Sequence, residues 1–271
     1  MLRPPALLML VVLVLAGGAC ATQTAPITGR EQRMVVSEAT VIAAAAVKYR
    51  GLIDTYAASN VLNTDPAETE RVRRIAGLVI VQAKLLRPQT GAWDWEVNVA
   101  RDPTANAWCM AGGKMMIYSG IMTRLHLTDS ELAAVVAHET AHAVAQHQRE
   151  LISDQARNDV TNRRGDPLLG IMQASPTDPR ANVVVSIFML PYSREKEAEA
   201  DRIGLTLMAR AGFDPQAMAT LFEKLDAYEK GKPPRFLSNH PSNRERVADI
   251  RAAIAADPEL SSRSRRAGDR L

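Results

Sequence analysis

The hydrophobic and polar positions along the chain fall into blocks of two different periods. Residues 37–58 are rich in alanine and interrupted only by Gly51, and 66–86 open on a proline directly after Asp65, so both stretches predict helices. Over 93–99 the period shortens to two. Trp93, Trp95, Val97 and Val99 alternate with Asp94, Glu96 and Asn98, the pattern of a strand with one buried face. Residues 107–110 and 114–118 flank Gly112-Gly113 and predict two further strand segments joined by a turn or bulge. Thr128 followed by Glu131 is a capping-box signature in front of the apolar run 132–144, which predicts a firmly started helix. Beyond it, 154–180 is rich in Asn, Asp, Gly and Pro and reads as a long, partly irregular excursion, while 182–190 is apolar and stopped by Pro191. Residues 195–211 predict a helix ended by Gly212, Pro215 opens another that runs to about residue 230, and 241–255 predict the last one. A polar, Arg-rich tail over 257–271 completes the chain, which has no internal repeats.

Composition supports the helical weight of this pattern. The 271 residues are 46% hydrophobic but only 4% aromatic, so the core must be packed from Ala, Leu, Val, Ile and Met, a mixture suited to closely packed helices. The fold expected is α+β, mostly helical, with a small sheet. With 23% charged residues, the chain belongs with ordinary folded proteins and not with disordered, collagen-like or multi-span membrane classes. Its formal net charge of +3 is close to balance, so nucleic acid is not an implied partner.

The first 19 residues carry Arg3, an apolar run over 6–15 and the small residues Ala16 to Ala19, and Cys20 follows them. The run is too short to cross a bilayer core of about 30 Å, and the order of features is that of a secretory signal peptide. A cysteine at the exit resembles the lipobox of bacterial lipoproteins, in which that cysteine becomes the lipidated first residue, although Gly17 stands where leucine is usual. An ordinary signal peptide or an uncleaved anchor is the competing reading. Ala21 in place of an aspartate implies, by the same resemblance, an outer-membrane lipoprotein facing the periplasm of a bacterial cell envelope. Lipidation of Cys20 would leave Cys109 without an intrachain partner, as a small apolar residue, and would exclude a disulfide framework. The organisation expected is a signal peptide over 1–19, a lipid-proximal tether over 20–36, helices over 37–90 packed on a catalytic domain of 91–256, and the tail.

His138-Glu139-Thr140-Ala141-His142 lies inside the capped helix. Two histidines four residues apart project from one face about one turn apart, close enough to share a tetrahedral zinc, and Glu139 beside them is placed to act as a base on water. Ala134, Ala137, Ala141 and Ala145 keep the surroundings slim enough for a second helix to approach. A catalytic zinc needs a third protein ligand. Six residues after His142 stands Gln148, which disfavours a metzincin, and no glutamate occurs between Glu150 and Glu195, which removes a thermolysin-like third ligand at the usual distance. On the helix that follows, Glu197, Ala200, Asp201 and Gly204 share one small-residue face, so Glu197 is the third ligand and Asp201, one turn on, orients a zinc histidine through its free ring nitrogen. Glu195 and Glu199 read as solvated charges, His126 as a loop residue, His147 as a polar helix-face residue, and Trp93, Trp95 and Trp108 as packing.

This HExxH, followed by Ser193-Arg194 and the Glu197 to Asp201 spacing, resembles the M48 metallopeptidases, the gluzincin family of the CAAX prenyl endopeptidase, and within it the lipoprotein branch without transmembrane helices. Two further stretches match that family. They are Asn106 to Lys114, similar to an N-A-x-x-x-P-G-G strand motif with Ala111 in place of proline, and His240-Pro241 with Arg246 six residues after the histidine. The resemblance covers roughly 28–255 and implies an endopeptidase with one zinc per chain, bound by His138, His142 and Glu197, with Glu139 as the proton carrier. It further implies that His240 and Arg246 line the active site. The 106–118 strand region, through Asn106, Ala107, Met110, Gly112 and Gly113, would then bind an extended substrate by adding it as a strand. Backbone pairing of that kind needs locally unfolded substrates, which implies quality control of unfolded or misassembled envelope proteins. A zinc-stabilised lipoprotein chaperone with latent hydrolysis competes with that reading.

Overall fold

The computed structural model describes residues 21–161, 191–228, 236–237, 240 and 244–268. The chain enters through a two-stranded antiparallel hairpin, β1 (Ala21–Thr24) and β2 (Glu31–Met34), where a tether was expected. The stretch is polar enough to read as loop, but β2 alternates exposed and buried positions. Buried Gln32 donates to the Ala145 carbonyl at 2.8 Å and to Glu150 at 3.0 Å, so a polar side chain, and not an apolar one, fastens the hairpin. Helix α1 (Glu38–Ala58) is capped by Ser37 and α2 (Pro66–Leu86) by Asp65, each side-chain oxygen accepting a first-turn backbone N–H. A short 3-10 turn, Pro88–Ala92, follows α2.

Strands β3 (Glu96–Ala100), β4 (Ala107–Met110) and β5 (Lys114–Tyr118) form a sheet in the order β3-β5-β4, with β5 parallel to β3 and antiparallel to β4. Trp93 and Trp95, read as strand, lie ahead of β3, because the 3-10 turn holds the Trp95 indole N–H on the Thr90 carbonyl at 2.9 Å. Gly112 and Gly113 make the β4–β5 turn at φ +80° and +79°, and a Cβ on Gly113 would lie 2.5 Å from the Trp95 ring, so glycine is required there twice over. Alternation along β4 and β5 divides the core. Ala107, Cys109, Met115 and Ile117 face α2 and the helices beyond, whereas Trp108, Met110, Met116 and Tyr118 face α1.

After the short α3 (Ser119–Leu125), α4 (Asp129–Val144) starts with a complete capping box: Thr128 accepts from the Glu131 N–H and the Glu131 carboxylate accepts from the Thr128 N–H. Helix α5 (His147–Thr161) carries regular structure into the stretch read as irregular, most of which, with 182–190, lies outside the described residues. Then come α6 (Arg194–Arg210), capped by Ser193, α7 (Gln216–Tyr228), α8 (Arg244–Ala256) and α9 (Pro258–Gly268). Helix α9 replaces most of the expected tail, since Leu260 is buried and Arg210 on α6 forks onto Glu259 at 3.1 and 3.2 Å. Val72, Ile75 and Val79 of α2 share one core with α4, α6 and α7, and Val41, Ala45 and Tyr49 of α1 pack with Trp108, Met110 and Met116 of the sheet. Among the described residues no helix is long and apolar enough to cross a membrane.

Helix α4 is buried on all sides, which its alanines and valines permit, and α6 lies closest against it. Gly204 marks the contact. A Cβ there would sit 3.0 Å from the Met218 methyl and 3.3 Å from the backbone nitrogen of His138. Gly204→Val is therefore expected to cost about 1–3 kcal/mol of stability by overpacking, read as a fall in the thermal midpoint. An unchanged midpoint would show that the two helices have slack between them.

Candidate metal centre

The two histidines of α4 and the first turns of α6 meet in a buried cluster. His138, His142, Glu197 and His240 are all buried, and one ligand atom from each lies within 4.8 Å of the others. His138 Nε2 is 3.1 Å from His142 Nε2 and 3.3 Å from Glu197 Oε2, and His142 Nε2 is 3.4 Å from Glu197 Oε1. A tetrahedral zinc with ligands at 2.0–2.2 Å requires ligand atoms about 3.3–3.6 Å apart, so these three side chains nearly trace one face of such a tetrahedron. Two imidazoles and a carboxylate are also the donor set of catalytic zinc. The Glu197 carboxylate is buried and turns both its oxygens toward these histidines, as expected of a group that has a metal to serve. The residues present fit the ion.

His240 Nδ1 lies 3.2 Å from His138 Nε2 and 3.0 Å from Glu197 Oε1, in the direction of the fourth vertex, and its Nε2 lies 3.2 Å from Glu139 Oε1. The ring therefore touches both the ligand set and the proposed base. Arg246 stands behind the ligands. Its Nε and Nη2 fork onto Asp201 at 2.7 and 2.8 Å, its Nη1 is 3.0 Å from Glu197 Oε2, and its guanidinium lies 3.9 Å over the Phe222 ring. Arg246, expected to line the active site, lies against Asp201 and Glu197 at the cluster. Asp201 in turn is 3.1 Å from His138 Nδ1, the placement its spacing predicted.

Electrostatics follow from burial and crowding. Burial pushes the Glu139 carboxyl up to about 7, with Glu197 adding to the rise, while His240, the Cys109 backbone amide and Arg246 act against it. For Glu197, burial would also raise the carboxyl, but His240, His142 and His138 outweigh it and hold it well below the usual carboxylate range. Burial takes the His142 imidazole well below its ordinary value, and the neighbouring histidines reinforce this, so the ring is neutral and suited to metal ligation.

Along β4 the backbone alternates between β5 and the outer, buried side of the sheet. Asn106 and Met110 carbonyls accept from Tyr118 and Gly113 N–H groups, which turns Ala105, Ala107, Cys109 and Ala111 outward. The outer positions are not all open: Ala105 accepts from the Phe236 N–H at 3.1 Å, and the Ala111 N–H donates to the Gln148 side chain at 2.7 Å. Of the residues predicted to bind substrate, Ala107 thus faces outward, Met110 pairs inward, and Gly112 and Gly113 serve the turn. Among the described residues the fully buried Asn106 amide finds no hydrogen-bond partner for its nitrogen or its oxygen.

Three residues at the cluster escaped sequence reasoning. Tyr192 stacks on His142 with ring centroids 4.1 Å apart and planes at 17°, yet in the sequence it is only the residue before a helix cap. His147 and Glu199, read as solvent-facing, are both buried. His147 Nδ1 is 2.8 Å from His142 Nδ1, and His147 Nε2 is 2.9 Å from Glu199. Glu195, by contrast, is exposed as expected.

Comparison with known proteins agrees with the cluster. A model of peptidase family M48 matches residues 66–254. The mitochondrial metalloendopeptidase OMA1 of Schizosaccharomyces pombe is 41% identical over 162 residues, which cover 58% of this chain and 45% of the relative. The beta-barrel assembly-enhancing protease of Escherichia coli K12 is 34% identical over 156 residues, covering 54% and 31%, and metalloprotease LoiP of the same organism is 28% identical over 192 residues, covering 71% and 74%. The chain spans half or less of the length of the OMA1 relatives it matches. Since the matched stretch takes in α4, α6, His240 and Arg246, and so the whole cluster around His138 and His142, the chain belongs to peptidase family M48.

Proposed function

We propose that this protein is a zinc-dependent endopeptidase that cleaves locally unfolded segments of cell-envelope proteins. The observation that carries the proposal is the buried His138, His142 and Glu197 triangle with the Glu139 carboxyl beside it. These three side chains would hold the metal. When bound, zinc supplies Lewis acidity, polarising a scissile carbonyl and lowering the pKa of water toward neutrality. Glu139, whose carboxyl is matched to proton exchange near pH 7, takes the proton of the attacking water and delivers it to the departing amine. Asp201, held by Arg246, keeps His138 in the tautomer that leaves Nε2 free for the metal.

β4 is the outer strand of its sheet, and an extended substrate backbone would add along it at Ala107 and Cys109, whose backbone groups turn away from β5. Only a segment free of its own sheet or helix pairing fits such an edge, which supports unfolded or misassembled proteins as the substrate class. The name of one E. coli relative, tied to beta-barrel assembly, supports an envelope setting, while the OMA1 relatives are named as mitochondrial. Lipidation at Cys20 would anchor the protein to the membrane, with the hairpin beginning directly after it at Ala21, and mass spectrometry of the mature N-terminus decides that point.

Digestion of unfolded casein by the purified protein tests the activity. Hydrolysis is expected to stop on chelation and to return with one equivalent of zinc. A fully zinc-loaded protein that suppresses aggregation of such clients without cutting them would favour the chaperone reading.

A further inference from the structure

His138 and His142 are each backed by a buried polar arm, but the two arms come from different parts of the chain. The arm behind His138, Asp201 with Arg246, lies within the family match. Behind His142 the arm runs from His147 to Glu199 and ends on the N-terminal hairpin, outside that match. Arg30, in the β1–β2 loop, forks onto Glu150 at 2.7 and 2.8 Å and reaches Glu199 with Nε at 2.9 Å and Nη2 at 2.6 Å, while the Thr28 hydroxyl also donates to Glu199.

The direction of each hydrogen bond follows from the metal site. With His142 Nε2 turned to the cluster, its Nδ1 carries the proton and donates to His147 Nδ1. The proton of His147 is then on Nε2, and that N–H donates to the Glu199 carboxylate. Every link is buried or nearly so: His147 is fully buried, the Glu199 side chain is 3% exposed and that of Arg30 is 19% exposed. Glu150 and Glu199 are like charges joined by one guanidinium, and among the described residues Lys196, whose Nζ is 3.6 Å from Glu150, is the other lysine or arginine against them. Without the Arg30 fork, Glu199 loses its charged partner on the hairpin, and the neutral Thr28 hydroxyl remains to hold its carboxylate under His147.

On the proposed reading of His138, His142 and Glu197 as zinc ligands, we infer that the N-terminal hairpin is part of the metal site: Arg30, Glu199 and His147 are positioning residues that orient His142 for the ion. A residue that acts only as a fold staple would stabilise the chain equally with and without metal. A positioning residue stabilises the loaded form more, because ligand orientation enters the binding constant.

The test measures the zinc dissociation constant of the full chain by chelator competition, together with the thermal midpoint of the metal-free and zinc-loaded forms. Arg30→Met and Glu199→Gln are expected to weaken zinc binding by about 10- to 100-fold and to shrink the zinc-induced rise in midpoint, and Arg30→Lys should restore part of the affinity. Arg71→Met, which removes a half-buried partner of Asp129 far from the cluster in sequence, serves as the charge-matched control and should leave affinity unchanged. Dissociation constants within twofold of wild type, with both midpoints lowered alike, would overturn the inference. If Arg30→Met does not fold, the isosteric Glu199→Gln decides by the same rule. Retention of zinc by a His138→Ala, His142→Ala double variant would instead remove the ligand reading on which the inference rests.

Discussion

Glu139→Gln is expected to lower peptide turnover by a factor of about 10² to 10⁴ while the protein still binds one zinc. The two halves of that result come from different parts of the geometry. The amide keeps the shape and burial of the side chain, and Glu139 is not among the atoms that trace the zinc tetrahedron, so the metal should stay. What is lost is the carboxyl that burial raises toward proton exchange near pH 7. Glu197→Ala should behave in the opposite way, losing metal and activity together, because it removes one vertex of the triangle. Zinc analysis beside kinetics on both variants checks this. Zinc lost from Glu139→Gln but kept in Glu197→Ala would reverse the two assignments.

For His240→Ala the expected result is a rise in basal turnover. An imidazole near a three-ligand zinc can donate to the oxyanion of a bound substrate or fill the fourth position at rest. The ring is placed for the second: its Nδ1 lies 3.2 Å from His138 and 3.0 Å from Glu197, and its Nε2 lies 3.2 Å from Glu139, so one side chain would crowd both a water on the metal and the base. If nine molecules in ten rest in that state, removing the ring raises activity about tenfold. A fall of about 10²-fold at saturating substrate would show instead that oxyanion support dominates, and unchanged rates would take His240 out of the chemistry.

Much of this architecture was legible in the residues, and for local reasons. Capping residues fixed the starts of α1, α2 and α4, because an N-cap acts within three residues of itself. The pairing of glycines at 112 and 113 marked the turn between β4 and β5, because positive φ is nearly a glycine property. Helical spacing put His138 and His142 on one face, and Glu197 and Asp201 on another, since side chains four apart on a helix are neighbours whatever surrounds them.

Where local rules end, tertiary structure decided. His147 follows His142 by five residues, which in an unbroken helix would turn it about 140° away from that face. The helix is broken at Gln146, whose φ of 56° swings α5 aside and brings His147 back under the His142 ring. Glu199 shares its charge pattern with exposed Glu195, and only the hairpin packed over it, with Arg30 in place, makes it a buried partner of His147. The hairpin itself was read as loop because its buried positions include a glutamine, and a polar residue counts as buried only once its hydrogen-bond partners, here Ala145 and Glu150 more than a hundred residues away in sequence, are brought to it. The chain alone determined which residues could bind a metal and move a proton. The folded structure decided how those residues are held, because the groups that hold them come from distant segments whose meeting depends on the packing of the whole core.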